Sequence, residues 1–154
     1  MVAVVVYNRD LRVHDHPALA AAVVADEQVV PLFVIDDGIL ASRYATPNRL
    51  TFLLDCLRDL RGSFSDRGGS LVVRRGRLVA EVRAVCEEVG ASSLHCSADV
   101  GVYAQRRERE LGSLADDLEI PFTAHPGITV VPPGALTTSG GGVYKVYTPY
   151  YRAW

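Results

Sequence analysis

The stretch Val2-Ala3-Val4-Val5-Val6-Tyr7 decides the fold. It is short, almost wholly apolar and β-branched, and it shows no alternation, the pattern of a strand covered on both faces. Such a strand belongs in the middle of a parallel sheet. Working outward, residues 8–15 read as a loop, and His16-Pro17 opens a helix over residues 18–25. A proline suits the first helical position because its absent N–H would have no partner there.

The unit then repeats. Val29-Val30-Pro31-Leu32-Phe33-Val34-Ile35 is a second strand, halted by Asp36-Asp37-Gly38, with Pro31 removing one ladder donor near its start. Thr46-Pro47 opens a long helix capped by the threonine hydroxyl, with Leu50, Leu53, Leu54, Leu57, Leu60 and Phe64 on one face and Gly68-Gly69 at its end. Leu71-Val72-Val73 is a third strand, and Leu78, Val82, Val85, Cys86 and Val89 keep helical spacing up to Gly90, a left-handed cap. Ser93-Leu94-His95-Cys96 gives a weaker fourth strand, residues 103–118 an amphipathic helix, and Pro121-Phe122-Thr123-Ala124 a fifth strand. Strands alternating with helices through short connections predict an α/β fold: a doubly wound, five-stranded parallel sheet in a three-layer sandwich.

Beyond Pro126 the composition changes to Pro132-Pro133-Gly134 and Ser139-Gly140-Gly141-Gly142, which cannot continue the repeat. Residues 1–126 therefore read as the domain and residues 127–154 as a strap and the start of a linker. The last stretch, Tyr144-Lys145-Val146-Tyr147-Thr148-Pro149-Tyr150-Tyr151-Arg152-Ala153-Trp154, would leave much apolar surface wet unless something packed on it. A further domain is the expected cover, and self-association through this tail is the other expectation.

Composition narrows the function. With 154 residues, 49% hydrophobic and 22% charged, the chain suits one core and is too apolar for disorder. A net charge of -2 leaves no global basic field for a polyphosphate. No apolar run reaches the roughly eighteen residues of a membrane span, and the opening has no basic lead or cleavage site, so a cytoplasmic protein without membrane contact is expected. Cys56, Cys86 and Cys96 form no C-x-x-C pair and read as buried thiols.

Ligands of doubly wound sheets bind at the carboxyl ends of strands, where strand order reverses. The loops after strands one, two and four offer Arg9, Asp10 and Arg12, then Asp36, then Asp99, with no phosphate-cradling G-x-G-x-x-G or P-loop glycines. Carboxylates there could accept from a planar heterocycle while guanidiniums hold its anionic edge. The same residues could equally pair with one another to tie the loops together, and spacing alone leaves both open. His14-Asp15-His16 lacks a third ligand at metal spacing and reads as helix capping, and residues 106–110 read as a solvated charged face. No nucleophile elbow or cysteine with a catalytic partner supports hydrolysis.

Two motifs carry a resemblance. Tyr7-Asn8-Arg9-Asp10-Leu11-Arg12-Val13-His14-Asp15-His16-Pro17-Ala18-Leu19 is similar to the amino-terminal signature of DNA photolyases and cryptochromes, and residues 142–154 resemble that family's P-Y-x-V-F-T-P-F-x-R-x-W. Phe33-Val34-Ile35-Asp36 and Arg49-Leu50-Thr51-Phe52-Leu53 fall between them where the family has its second strand and its R-x-x-F-L helix. Asn8, His16, Val143 and Glu108 depart from the family pattern.

The resemblance implies a Rossmann-like α/β domain that precedes a larger helical domain. That domain binds FAD, receives damaged DNA and splits pyrimidine dimers under light, and it lies outside this chain. The α/β domain itself would hold an antenna chromophore that passes excitation to the flavin, so the chain alone would not be catalytic. In deazaflavin-binding members, the matching positions are Arg9, Asp10 and Arg12 flanking the ring, Val34, Ile35 and Asp36 along its plane, Arg49 from the long helix, and Asp99 and Tyr103 closing the other side. Tyr103-Ala104 stands where folate-binding members carry Asn-Glu, which favours 8-hydroxy-5-deazaflavin over methenyltetrahydrofolate. Other members hold a flavin in this slot or leave it empty. A cryptochrome light sensor and, on topology alone, a free-standing nucleotide-binding module are the alternatives to a photolyase.

Overall fold

The computed structural model describes residues 1–132 and 134–154; Pro133, within the Pro132-Pro133-Gly134 break, lies outside the described residues. The elements are β1 (Val2–Tyr7), α1 (Pro17–Ala25), β2 (Gln28–Asp36), α2 (Asp37–Leu40), α3 (Pro47–Ser65) and β3 (Val72–Gly76). They continue as α4 (Leu78–Val89), β4 (Ser93–Ser97), α5 (Val102–Asp117), β5 (Phe122–His125) and α6 (Tyr147–Ala153). Every strand pair is parallel and the order is β3-β2-β1-β4-β5, so the chain winds outward from β1 first to one edge and then to the other. The doubly wound sheet of the sequence reading is what the structure has.

Alternation along β1 divides the core into two layers. Val4 and Val6 face α4 and α5, together with Leu32, Leu94, Val82, Leu111 and Leu114. Ala3, Val5 and Tyr7 face α1 and α3, against Ala18, Ala22, Leu57, Leu60 and Phe64. Burying each β1 valine on either side contributes roughly 1.5–3 kcal/mol, which is why an unalternating apolar run belongs here. The β2–β3 ladder begins only at Leu32 with Val72, so Pro31 stands outside it.

Local expectations needed correction in four places. Thr46 is the N-cap of α3, but its side chain makes no cap hydrogen bond. Only Leu57, Leu60 and Phe64 of α3's apolar face are buried, while Phe52 is 71% and Leu54 46% exposed. The buried residues of α3 all lie in its second half, which is the part that packs on the sheet. β3 continues through Arg74 and Arg75 to Gly76, an edge strand that tolerates polar side chains. Finally, the aromatic tail folds into α6. Gly90, by contrast, ends α4 at φ 61°, as the left-handed cap requires.

Candidate functional site at the carboxyl edge

The loop after β1 is tied up by its own residues. Asp10 is buried; it accepts from the Ser97 hydroxyl at the end of β4, and His16 Nε2 lies 3.1 Å from its Oδ2. His16 caps α1, its Nδ1 accepting from the Leu19 N–H, which leaves the ring proton on Nε2 facing the carboxylate. Burial pushes the Asp10 carboxyl up, but the bonds from His16 and Ser97 outweigh it and hold it below the ordinary range. Arg12 donates to the carbonyls of His14, Asp15 and Gly127. Gly127 has φ 146°, and a Cβ there would stand 2.8 Å from Pro17 Cγ, so glycine lets the chain after β5 close onto the head of α1.

On the other layer, the first turns of α4 and α5 stand apart above the end of β2. Between them lies a cleft of about 630 Å³ lined by Asp36, Gly38, residues 77–80, Arg83, Tyr103, Arg106, Arg107 and Glu110. The Tyr103 hydroxyl donates to Asp36 Oδ2 across it at 3.1 Å, and Gly38 N–H donates to Asp36 Oδ1 at 2.8 Å. Partial burial and the Asp36 carboxylate push the Tyr103 phenol up, so it stays a donor. Arg83 is held by Asp117 and Arg106 by Glu110, whereas Arg77 and Arg107 have no acidic partner among the described residues. Arg107 lies over the Tyr103 ring, 5.9 Å from its centre, and its buried Nε has no hydrogen-bond partner.

Of the positions expected at the site, Asp36 and Tyr103 meet in the cleft. Arg9 and Asp99 pair with each other at 2.9 Å outside the cleft lining, Asp99 lining a separate small cavity against residues 126–129; burial raises the Asp99 carboxyl, and Arg9 with the Gly101 and Val100 N–H groups more than offsets it. Asp10 and Arg12 serve the loop, as above. Val34 and Ile35 cannot line one plane together, because neighbouring strand residues face opposite sides: Val34 lies in the core under α4 and Ile35 packs on the α1–α3 side. Arg49 sits exposed on α3, across the sheet from the cleft, with its guanidinium 5.9 Å from the Tyr44 ring centre. Sequence reasoning passed over Arg77 and Arg83, the signal for the first being the Arg74-Arg75-Gly76-Arg77 run just ahead of a helix, and it read Arg106 and Arg107 as part of a solvated face where the structure puts them in the cleft lining.

A second polar chain runs under α1. Ser93 donates to Asp26, His95 Nε2 lies 3.0 Å from the Ser93 hydroxyl, and His95 Nδ1 lies 3.0 Å from His125 Nε2. The cysteines are free; burial, with Glu87 and Glu108 nearby, pushes Cys86 to about 11 and Cys96 to about 12, so both are inert thiols at neutral pH. No group of metal-ligating side chains occurs among the described residues, and no described helix is long and apolar enough to cross a membrane.

Sheet order and cleft define the class: a doubly wound α/β domain with a candidate ligand site lined by side chains at the carboxyl edge. The chain belongs to the DNA photolyase family, whose sequence profile matches residues 3–154. It is 43% identical over 155 residues to a deoxyribodipyrimidine photo-lyase of Streptomyces griseus, covering 99% of this chain and 34% of that protein. A bacterial class III photolyase from Agrobacterium tumefaciens superposes with a TM-score of 0.87 at 26% identity, over 98% of this chain and 31% of that one. An archaeal photolyase from Sulfolobus tokodaii, described with two FAD molecules and an implied novel light-harvesting cofactor, shares the fold at a TM-score of 0.81 and 21% identity, over 90% and 32%. The chain spans about a third of the length of the curated photo-lyases it matches.

Proposed function

We propose that this chain is the antenna domain of a deoxyribodipyrimidine photolyase and that the α4–α5 cleft holds its chromophore. The cleft carries the reading: about 630 Å³ lies within the roughly 300–1,000 Å³ of small-molecule sites, and it offers a flat ligand one aromatic wall and donors and acceptors at its edge. Asp36 would accept from the ligand's ring N–H or hydroxyl, Tyr103 would orient that carboxylate and face the ring, and Arg9 with Asp99 would hold the rim. When bound, the chromophore absorbs near-ultraviolet or blue light and passes excitation to FAD.

FAD and damaged DNA are assigned to a helical domain in the remaining two thirds of the relatives' length, with residues 127–154 as the strap toward it. That domain is the favoured cover for the exposed Tyr147, Tyr151 and Trp154, self-association of the chain being the other outcome. Tyr103-Ala104 favours 8-hydroxy-5-deazaflavin over methenyltetrahydrofolate. Titration of the chain with each chromophore, followed by absorbance, tests the reading. Saturable one-to-one binding that Asp36→Ala weakens at least tenfold is expected, and failure of every candidate to bind would overturn it.

A further inference from the structure

The arginines around the cleft are not alike. Arg83 and Arg106 are neutralised by Asp117 at 2.7 Å and Glu110 at 2.8 Å. Arg77, at the head of α4, and Arg107, one and a half turns into α5, enter the same cleft from its two walls without any carboxylate. The one remaining acid in the lining, Asp36, has both oxygens engaged, by Tyr103 and by Gly38. Glu81, in the first turn of α4, packs against Gly76 and is not part of the lining. Two guanidiniums against one carboxylate leave the cleft positive, in a chain whose net charge is -2. Arg107 also lines the cleft over the Tyr103 ring; its Nε is buried without a partner and has no surface to offer, so any contact with a ligand falls to the terminal nitrogens of the guanidinium. The first-turn N–H groups of α4, which the Arg77 side chain does not cap, add a partial positive charge on the same side.

We infer that Arg77 and Arg107 hold an oxyanion carried by the cleft's ligand, a phosphate or a carboxylate on its tail, and so select a charged chromophore over its neutral counterpart. This rests on the cleft being the chromophore site; a deazaflavin with a plain ribityl tail would sit in the cleft without engaging the two arginines, whereas a phosphorylated deazaflavin or a folate would engage them. Guanidinium is the fitting group, because its planar donors bind either oxyanion in bidentate fashion.

Pairs of ligands that share a ring and differ in charge test the inference. Riboflavin against riboflavin 5′-phosphate reads the phosphate; folic acid against its dimethyl ester reads the carboxylates. Fluorescence titration should show one charged member binding at least ten times more tightly than its neutral partner, with the advantage shrinking as salt is raised. Arg77→Gln and Arg107→Gln should bring that ratio toward one while leaving affinity for the neutral member in place, which also reports that the variants are folded. Arg61→Gln, on the far side of the sheet, should leave the ratio unchanged. Ratios near one in both pairs, or ratios untouched by the two cleft variants, would overturn the inference and spare the cleft. Binding by none of the four ligands would overturn the inference, and the cleft reading falls with it only if 8-hydroxy-5-deazaflavin and methenyltetrahydrofolate also fail to bind.

Discussion

Two polar regions share the carboxyl edge of one sheet, and they differ in what their side chains are free to do. In the loop after β1, Asp10 and His16 pair with each other and Arg12 with backbone carbonyls, and the outcome is a closed turn packed on α1, although Asp10 Oδ1 and Asn8 Nδ2 are buried there without partners. In the α4–α5 cleft, Arg77 and Arg107 have none, and a cavity stands between them. Charged residues beside strand ends therefore do not by themselves mark a site; what marks it is charge left uncompensated around open space. The loop is where the family signature is densest, yet its polar groups hold the fold together, while the cleft lies under helices whose sequences carry no such signature.

Substitution should separate the two regions most sharply at Asp10. Asp10→Ala strips His16 and Ser97 of their buried partner and should cost about 3 kcal/mol in urea unfolding, whereas Arg77→Gln should stay within about 0.5 kcal/mol. Similar losses for both would erase the distinction.

Acid should act through the polar chain under α1, on the loop's side of the sheet. Burial holds His95 below its ordinary value of 6.5, with His125 adding to the effect and Asp26 opposing it; burial and His16 do the same to His125. A depressed imidazole means that the unfolded chain binds more protons between the two values, so stability is full above about 6.5 and is lost as pH falls through the lower folded-state values. His125→Gln should flatten that slope in thermal unfolding followed from pH 7.5 to 5, and an unchanged slope would remove the histidine pair from the account. Asp10 works in the same sense at lower pH: its depressed carboxyl adds stability above the usual carboxylate range that disappears only in stronger acid.

At the cleft the effects move from stability to binding. Asp36→Ala and Asp99→Ala should each change unfolding free energy by about 1 kcal/mol while weakening chromophore retention, Asp36 the more because it lines the cleft. Large unfolding losses without any ligand effect would return both residues to the class of loop ties. Tyr103→Phe should be the mildest change: stability within about 0.5 kcal/mol, with a loss of affinity smaller than that of Asp36→Ala, since only the hydroxyl that steadies the carboxylate is removed.

Nearly all of the fold was legible because its signals are local. β1 is apolar on both faces, Pro17 and Gly90 mark helix ends, and the alternation of strands with helices fixes a parallel sheet. What was not legible depended on neighbours. Arg74 and Arg75 look unlike strand residues until β3 is seen to be an edge, and the exposure of Phe52 and Leu54 shows only once the second half of α3 is seen to be what packs on the sheet. The site was half legible. Strand ends pointed to Asp36 and to the loop before Tyr103, which the structure brings together in the proposed cleft, but Arg77 follows β3, whose loop lies away from the reversal of strand order, and only packing of α4 beside α5 brings it to the same cleft as Arg107. Alternation along β2 already separated Val34 from Ile35 in the sequence; treating the two as one wall ignored it.

Amide hydrogen exchange on the chain, with and without the chromophore that titration selects, tests the central claim most directly. Binding in the cleft predicts slowed exchange at residues 78–80 and 103–107, with residues 9–16 already protected and unchanged. Slowing confined to residues 9–16, with the heads of α4 and α5 unaffected, would place the ligand on the closed turn and contradict the cleft.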